Sequence, residues 1–143
     1  IIINKSIVSK TLFKFIMKAQ DADTLPIPRW ALKVTSVVGA IAVALGAFGA
    51  HALKDELLTN GNTDVWKTAV FYHLIHSILL AMLSLSSYKF NKLAYVFILS
   101  GVILFSGSLY LLCFLDLVWL GPITPIGGLF LILGWLALSR KFI

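Results

Sequence analysis

Four long stretches without a charged residue constrain this chain more than any other feature of its sequence. They hold 20, 21, 23 and 23 residues and cover 34–53, 68–88, 93–115 and 117–139. A helix needs about 20 apolar residues to cross the ~30 Å hydrocarbon core of a bilayer. Because only short charged segments separate the stretches, the sequence predicts an all-α integral membrane protein built as a four-transmembrane-helix bundle.

The composition agrees with this prediction. Of the 143 residues, 59% are hydrophobic and 13% are charged, whereas charged residues make up about 25% of a typical soluble domain. A chain of this size cannot bury so much apolar surface inside a globule. These values exclude a disordered chain, a disulfide scaffold, a large soluble enzyme and a nucleic-acid-binding module. The single cysteine, Cys113, lies in the third stretch, where we expect a buried thiol.

We divide the chain into a basic N-terminal arm with a linker and a transmembrane domain. The arm and linker cover residues 1–28, and the domain covers 29–143. Within the domain, the spans are predicted near 30–53, 68–88, 93–115 and 119–140. Tryptophans near the ends of these spans predict an interfacial aromatic belt, formed by Trp30, Trp66, Trp119 and Trp135.

The N-terminal arm carries lysines at every fourth position. Residues 1–18 contain no acidic residue, and Lys10, Lys14 and Lys18 would share one face of a helix. The arm therefore predicts a basic amphipathic helix on a membrane surface, a mitochondrial transit segment, or an exposed arm with neither role. Because the chain starts at Ile1 and not at methionine, we expect a processed chain or a part of a longer precursor.

Basic residues are distributed unevenly between the two predicted sides of the membrane. The N-terminal segment, the second loop and the C-terminal tail carry ten of the 12 Lys and Arg residues. Four spans place these three segments on one side, and cytoplasmic or matrix segments carry the excess of positive charge. The sequence therefore predicts that both termini lie in the cytoplasm or matrix.

Six of these basic residues flank the predicted spans and form a candidate site for lipid head groups. Clustered Lys and Arg residues between helices bind anionic lipid such as cardiolipin. The candidate residues are Arg29, Lys33, Lys89, Lys92, Arg140 and Lys141.

Three histidines lie in the predicted spans or near their ends, and ionisable side chains at such depths suggest function. His51 ends the first span, and His73 and His76 lie three residues apart in the second. We expect all three imidazoles in one outer-leaflet zone, where they would form hydrogen bonds that join the first two spans. Alternatives are a zinc or copper site, axial ligation of haem, and proton or solute traffic. A zinc or copper site needs three or four convergent ligands, and two histidines that bind haem must face each other across the ring. We therefore expect neither a metal ion nor a cofactor.

Catalytic motifs are missing from the sequence. The predicted spans contain no carboxylate, and the chain has neither a G-x-S-x-G motif nor a phosphate-binding glycine loop. We therefore expect no enzymatic activity. Small residues instead predict close helix packing in lipid; they include Ala42, Gly46, Ala50, Gly127, Gly128 and Gly134.

Four further segments read GAFGAHALK at 46–54, YHLIH at 72–76, LFSGSLY at 104–110 and GPITPIGG at 121–128. In this order they resemble the family called domain of unknown function 423. The resemblance covers about residues 30–140, and the eukaryotic branch of the family is transmembrane protein 256. It implies a small multi-pass membrane protein of bacteria and mitochondria without an established reaction. It also implies a shared core that contains His51, His73, His76, Pro122 and Pro125.

These features lead to one expected function and one alternative. We expect an accessory or structural subunit of a larger respiratory-type complex in the mitochondrial inner membrane, with both termini in the matrix. Its partners would be other membrane subunits and lipid. The alternative is a small independent transporter or metal-handling protein that uses His51, His73 and His76. For the compartment, the alternative is a bacterial plasma membrane with cytoplasmic termini.

Overall fold

The described parts of the chain are helical. A computed structural model describes residues 28–86, 90–115 and 121–139. Within these ranges the helices are α1 (Arg29–Ala50), α2 (Lys54–Thr59), α3 (Thr63–Leu85), α4 (Lys92–Leu115) and α5 (Ile123–Ser139). The predicted arm, the head-group candidates Lys89, Arg140 and Lys141, and Trp119 lie outside the described residues.

Three of the helices are long and apolar enough to cross a membrane. They are α1, α3 and α4, with 22, 23 and 24 residues. The helix α5 is also apolar but has 17 residues, which is at the lower limit of the about 17–25 residues that a span requires. The all-α membrane architecture is therefore confirmed, with three helices of spanning length and a shorter fourth.

The predicted boundaries of the first, second and fourth spans differ from the helices of the structure. The second span ends at Leu85 and not at residue 88, and the helix α5 of the fourth span begins at Ile123 and not at residue 119. The helix α1 ends at Ala50, because His51 leaves helical geometry at φ −120° and ψ −76°. The helix α3 begins at Thr63 and not at residue 68, so its first turns contain the charged residues Asp64 and Lys67. The predicted span began only after the last charged residue and therefore missed these turns. An acidic residue is in fact favourable at a helix N-terminus, so Asp64 is compatible with the first turn of α3. The short helix α2 was not predicted from the sequence.

Neighbouring long helices run antiparallel. On α1 and α3, a Cβ atom at Gly39 would contact Ser77, and one at Gly49 would meet Trp66. Residue numbers therefore rise on one helix as they fall on the other. The helix α3 also packs on α4, and α4 packs on α5. The helices α3 and α4 are therefore central, with α1 and α5 on their outer sides.

The helices α4 and α5 are the most closely packed pair, because glycine lies at their contacts. A Cβ at Gly127 would overlap the backbone of Phe105, and a Cβ at Gly101 would lie 2.8 Å from the backbone nitrogen of Leu131. Small residues let helix backbones approach each other in lipid, where dispersion contacts favour association. The glycines of the fourth predicted span are therefore contact residues, as their spacing indicated.

The buried side chains form two clusters at different levels of the bundle. The larger one contains Ala31, Leu80, Tyr95, Ile98, Val102 and Leu131. The smaller one, at the end where α2 packs, contains Leu57, Trp66 and Cys113. The buried thiol expected at Cys113 is confirmed. Trp66 is 4% exposed, so its assignment to an interfacial belt was wrong.

We predict that Gly127→Ala separates α4 from α5. The added methyl group would overlap the backbone of Phe105, and overpacking of this kind costs about 1–3 kcal/mol of unfolding free energy. Gly107→Ala, on α4, is the matched control, because its Cβ would have nothing within 4 Å. Unfolding in detergent micelles, followed by circular dichroism, compares the two variants. Equal stability would contradict the close approach.

Candidate functional site

The histidines of α3 lie deeper in the bundle than the sequence predicted. Because α3 starts at Thr63, His73 and His76 lie about 15 and 20 Å along its axis, at about 1.5 Å per residue. Both side chains are buried, whereas His51 is exposed in the turn after α1. Gly49 on α1 lies at the level of Trp66, which puts His51 about 14 Å along the axis from His73. The prediction that all three imidazoles share one zone is therefore wrong.

His76 connects α3 to α5. Its Nδ1 lies 2.7 Å from the carbonyl oxygen of Tyr72, and its Nε2 lies 3.2 Å from Nε1 of Trp135. A carbonyl can only accept and an indole N–H can only donate. The two bonds therefore require the neutral ring with its proton on Nδ1. The His76 ring also stacks on Tyr72, at a centroid distance of 5.8 Å and an interplanar angle of 17°.

His73 connects α3 to α4 and to α1. Its Nδ1 lies 3.4 Å from the hydroxyl of Tyr110 on α4, and the backbone of Val38 on α1 lies close to the ring. Nδ1 accepts from the Tyr110 hydroxyl or donates to it, according to the tautomer of the ring. The two histidines together join α3 to each of the other three long helices.

A second polar cluster lies at the end of the bundle where α1 and α4 begin. The hydroxyl of Tyr95, which is fully buried, donates to the carbonyl oxygen of Ala31 at 2.9 Å. The same hydroxyl lies 3.0 Å from Oγ1 of Thr35, which is 3.3 Å from Oγ of Ser84. This cluster joins α1, α3 and α4. The sequence analysis missed it, although a Thr, a Ser and a Tyr inside apolar stretches were a signal for it.

Single hydrogen bonds join further pairs of helices. Trp66 donates from Nε1 to the carbonyl oxygen of Leu45 at 3.1 Å, which connects α3 to α1. Asn91 donates to the carbonyl oxygen of Ala137 at 2.9 Å, and the hydroxyls of Ser108 and Thr124 are 2.8 Å apart. The last two bonds lie near opposite ends of the α4–α5 pair and fix its register.

The three histidines do not form a ligand set for a metal ion. Among the residues that the structure describes, no three His, Cys, Asp or Glu side chains are grouped closely enough to hold one. Both ring nitrogens of His76 already have protein partners, and Nδ1 of His73 is bonded to Tyr110. His76 would therefore have to give up a hydrogen bond to bind a metal.

The charged residues collect at opposite ends of the bundle. Trp30 contacts the ring of Phe90 at 5.8 Å, so Arg29 and Lys33 at the start of α1 lie at the same end as Lys92. These three head-group candidates are exposed. The other end carries both signs of charge, from Lys54, Asp55, Glu56, Asp64 and Lys67, and the last two are 3.4 Å apart.

Comparison with known proteins places this architecture in a family. A family model described as "Protein of unknown function (DUF423)" matches residues 45–128. The chain belongs to the DUF423 family. The match runs from the last turn of α1 into α5 and includes His73, His76 and Tyr110, whereas Trp135 lies beyond it. The DUF423 resemblance drawn from the sequence motifs is therefore confirmed.

Relatives in the DUF423 family come from bacteria and from a yeast. The UPF0382 membrane protein YwdK of Bacillus subtilis is 38% identical over 114 residues, which is 73% of this chain and 92% of that protein. A UPF0382 membrane protein of Schizosaccharomyces pombe is 35% identical over 108 residues, 71% of this chain and 92% of that protein. Another, of Haemophilus influenzae, is 38% identical over 114 residues, 76% of this chain and 89% of that protein. No solved structure matches the chain.

We predict that His76 and Trp135 are energetically coupled. A double-mutant cycle with His76→Leu and Trp135→Phe should give a coupling of about 0.6–2 kcal/mol, the range for hydrogen bonds between membrane helices. Unfolding of the full chain in micelles measures it. His51→Gln is the control and should change stability by no more than about 0.5 kcal/mol, because His51 is exposed. Additive effects of the two substitutions would show that the bond does not join α3 to α5.

Proposed function

We propose that the protein is a non-enzymatic accessory or structural subunit of a larger membrane complex of the respiratory type. The observation that carries this proposal is the one-sided burial of α1. Of its 22 residues, Ala31, Thr35 and Ala42 are buried. They face the rest of the bundle, while the other side of α1 has no partner among the described residues.

The outward side of α1 is large and apolar. The side chains of Val37, Ile41, Val43 and Phe48 are between 47% and 63% exposed. Lipid can cover such a surface, and so can a helix of another subunit. In contrast, the buried histidines use their ring nitrogens to hold the bundle together. The polar interior thus supports a structural role, and the unpartnered face of α1 supports assembly with a partner.

The proposed topology has four spans with both termini on the matrix side of the mitochondrial inner membrane. The 17 residues of α5 span about 25 Å at about 1.5 Å per residue, and its antiparallel packing on α4 extends across the same layer. Positive charge collects at the end where α1 begins. The basic arm and a relative in a yeast support a mitochondrial location, and the bacterial relatives support the bacterial plasma membrane as the alternative.

The same proposal includes anionic lipid, such as cardiolipin, at the basic end. Arg29, Lys33 and Lys92 are exposed there. The remaining candidates for this head-group site, which lie outside the described residues, are Lys89, Arg140 and Lys141. Clustered cations at a membrane surface attract anionic head groups within a Debye length.

We predict that the protein comigrates with a much larger complex on a native gel of mildly solubilised membranes. Val43→Trp adds bulk to the outward side of α1 and should release the protein from that complex. Met82→Trp is the matched control, because Met82 is 66% exposed on α3 and Val43 is 63% exposed on α1. The control should stay in the complex.

Two results would contradict this proposal. One is migration of the unaltered protein as a monomer or small homo-oligomer. The other is loss of metal content or transport in a variant of His51, His73 and His76 whose assembly is intact. The second result would favour the independent transporter or metal-handling protein.

A further inference from the structure

An apolar groove lies between α1 and α3 at the end that carries both signs of charge. Its volume is about 320 Å³. Gly46 and Gly49 form one wall, and Val70 and Leu74 form the other. Gly46 and Gly49 have no side chains that could fill the groove, so it is open along the side of the bundle. It runs about 10 Å along α3 from Lys67 to Leu74, at about 1.5 Å per residue.

The groove has a polar mouth. It continues into an opening of about 290 Å³ that Lys54, Lys67 and Thr63 line together. The Oγ1 atom of Thr63 is buried and has no hydrogen-bond partner among the residues that the structure describes. Because that hydroxyl is not exposed to the opening, the two lysines supply the polar contacts that a ligand can reach there.

The lysines at the mouth are available to a ligand. Lys67 pairs with Asp64 at 3.4 Å, but both side chains are highly exposed, and such screened pairs are weak. Acidic residues accompany the lysines at this end, namely Asp55 and Glu56 in the first turn of α2. The mouth therefore offers cations and anions side by side. Strongly anionic lipid suits the other end better, where the described charged residues Arg29, Lys33 and Lys92 are basic.

We propose that this groove binds one zwitterionic glycerophospholipid from the leaflet at this end of the bundle. One acyl chain lies between α1 and α3, against Gly46 and Leu74. The phosphate lies between the ammonium groups of Lys54 and Lys67. The ammonium of the head group faces the neighbouring carboxylates. The inference does not depend on the accessory-subunit proposal, because it concerns a different surface.

Photolabelling of the full chain in nanodiscs tests this proposal. The probe is a phosphatidylethanolamine with a diazirine in its acyl chain, diluted into unlabelled lipid of the same head group. Labelled peptides should concentrate on the two walls of the groove. Lys54→Gln with Lys67→Gln should lower groove labelling about fivefold, the size expected for two exposed charge contacts. Lys33→Gln with Lys92→Gln is the control and should leave it unchanged.

A second pair of variants tests the acyl-chain position without changing charge. Leu74→Trp fills the groove and should abolish labelling of its walls. Ile75→Trp, one residue along and 39% exposed on another face of α3, should retain it. Thermal unfolding confirms that each labelled variant is folded.

Three results would overturn the proposal. Labelling spread evenly over the outward faces of α4 and α5 would show annular lipid only. Undiminished labelling of the groove in the double lysine variant would show that the two lysines do not hold the phosphate. Undiminished labelling in Leu74→Trp would show that the acyl chain does not lie in the groove. A labelled cardiolipin that enters the groove as well as the zwitterionic probe would show that the acidic residues do not select the head group.

Discussion

Inside a bilayer a polar side chain has no water to bond, so its burial is costly unless it finds a partner within the protein. The rest of this bundle depends on how α3 meets that requirement. His73 and His76 are one helical turn apart and point to different neighbours. His76 bonds through one ring nitrogen to the Tyr72 carbonyl of its own helix and through the other to Trp135 on α5. His73 bonds to Tyr110 on α4 and lies against the backbone of Val38 on α1. The energy of each bond is small, but together the bonds select one arrangement of four apolar helices that lipid alone would not order.

Glycine supplies the other half of the arrangement. Dispersion contacts between helices in lipid are strong only where backbones approach closely, and Gly101, Gly127 and Gly134 provide that approach between α4 and α5. The contact between α1 and α3 has glycine on one side only, and Gly39, Gly46 and Gly49 meet side chains there and not backbone, although the indole of Trp66 leaves no room for a Cβ at Gly49. The pair α4–α5 keeps its register through short hydrogen bonds near its ends. The pair α1–α3 leaves an open groove between the helices, and the outer side of α1 has no partner among the described residues. The proposed phospholipid site lies in that groove, and the proposed contact with a partner subunit lies on that outer side.

The sequence predicted the elements of this fold well, because charge-free length is a direct consequence of bilayer thickness. The third span, 93–115, matches α4 to within one residue. The second was displaced by five residues at its start, since Asp64 and Lys67 belong to the helix but interrupt the apolar pattern. That displacement made the histidines appear shallow and close to His51. A hydropathy pattern reports where charges are, not where hydrogen bonding within the helix begins.

The site itself was predictable only in part. The sequence pointed to His73 and His76 and to a hydrogen-bonding role between helices, but not to Tyr110 and Trp135 as partners. Those contacts depend on which helix face meets α3, and the long helices are apolar on every side, so the sequence does not mark that face. Trp66 illustrates the same problem, because a tryptophan near a span end suits both an interfacial belt and a buried bond to Leu45.

The central claim is that His76 holds α3 to α5 as a neutral ring with its proton on Nδ1. Nitrogen-15 NMR of the chain with labelled histidine, reconstituted in lipid, measures this directly, because protonated and unprotonated ring nitrogens have well-separated chemical shifts. The account predicts a proton on Nδ1 of His76 and none on its Nε2, with His51 distinct and in exchange with solvent. Assignment by His76→Leu and His73→Leu separates the signals. A proton on Nε2 of His76 would contradict the account.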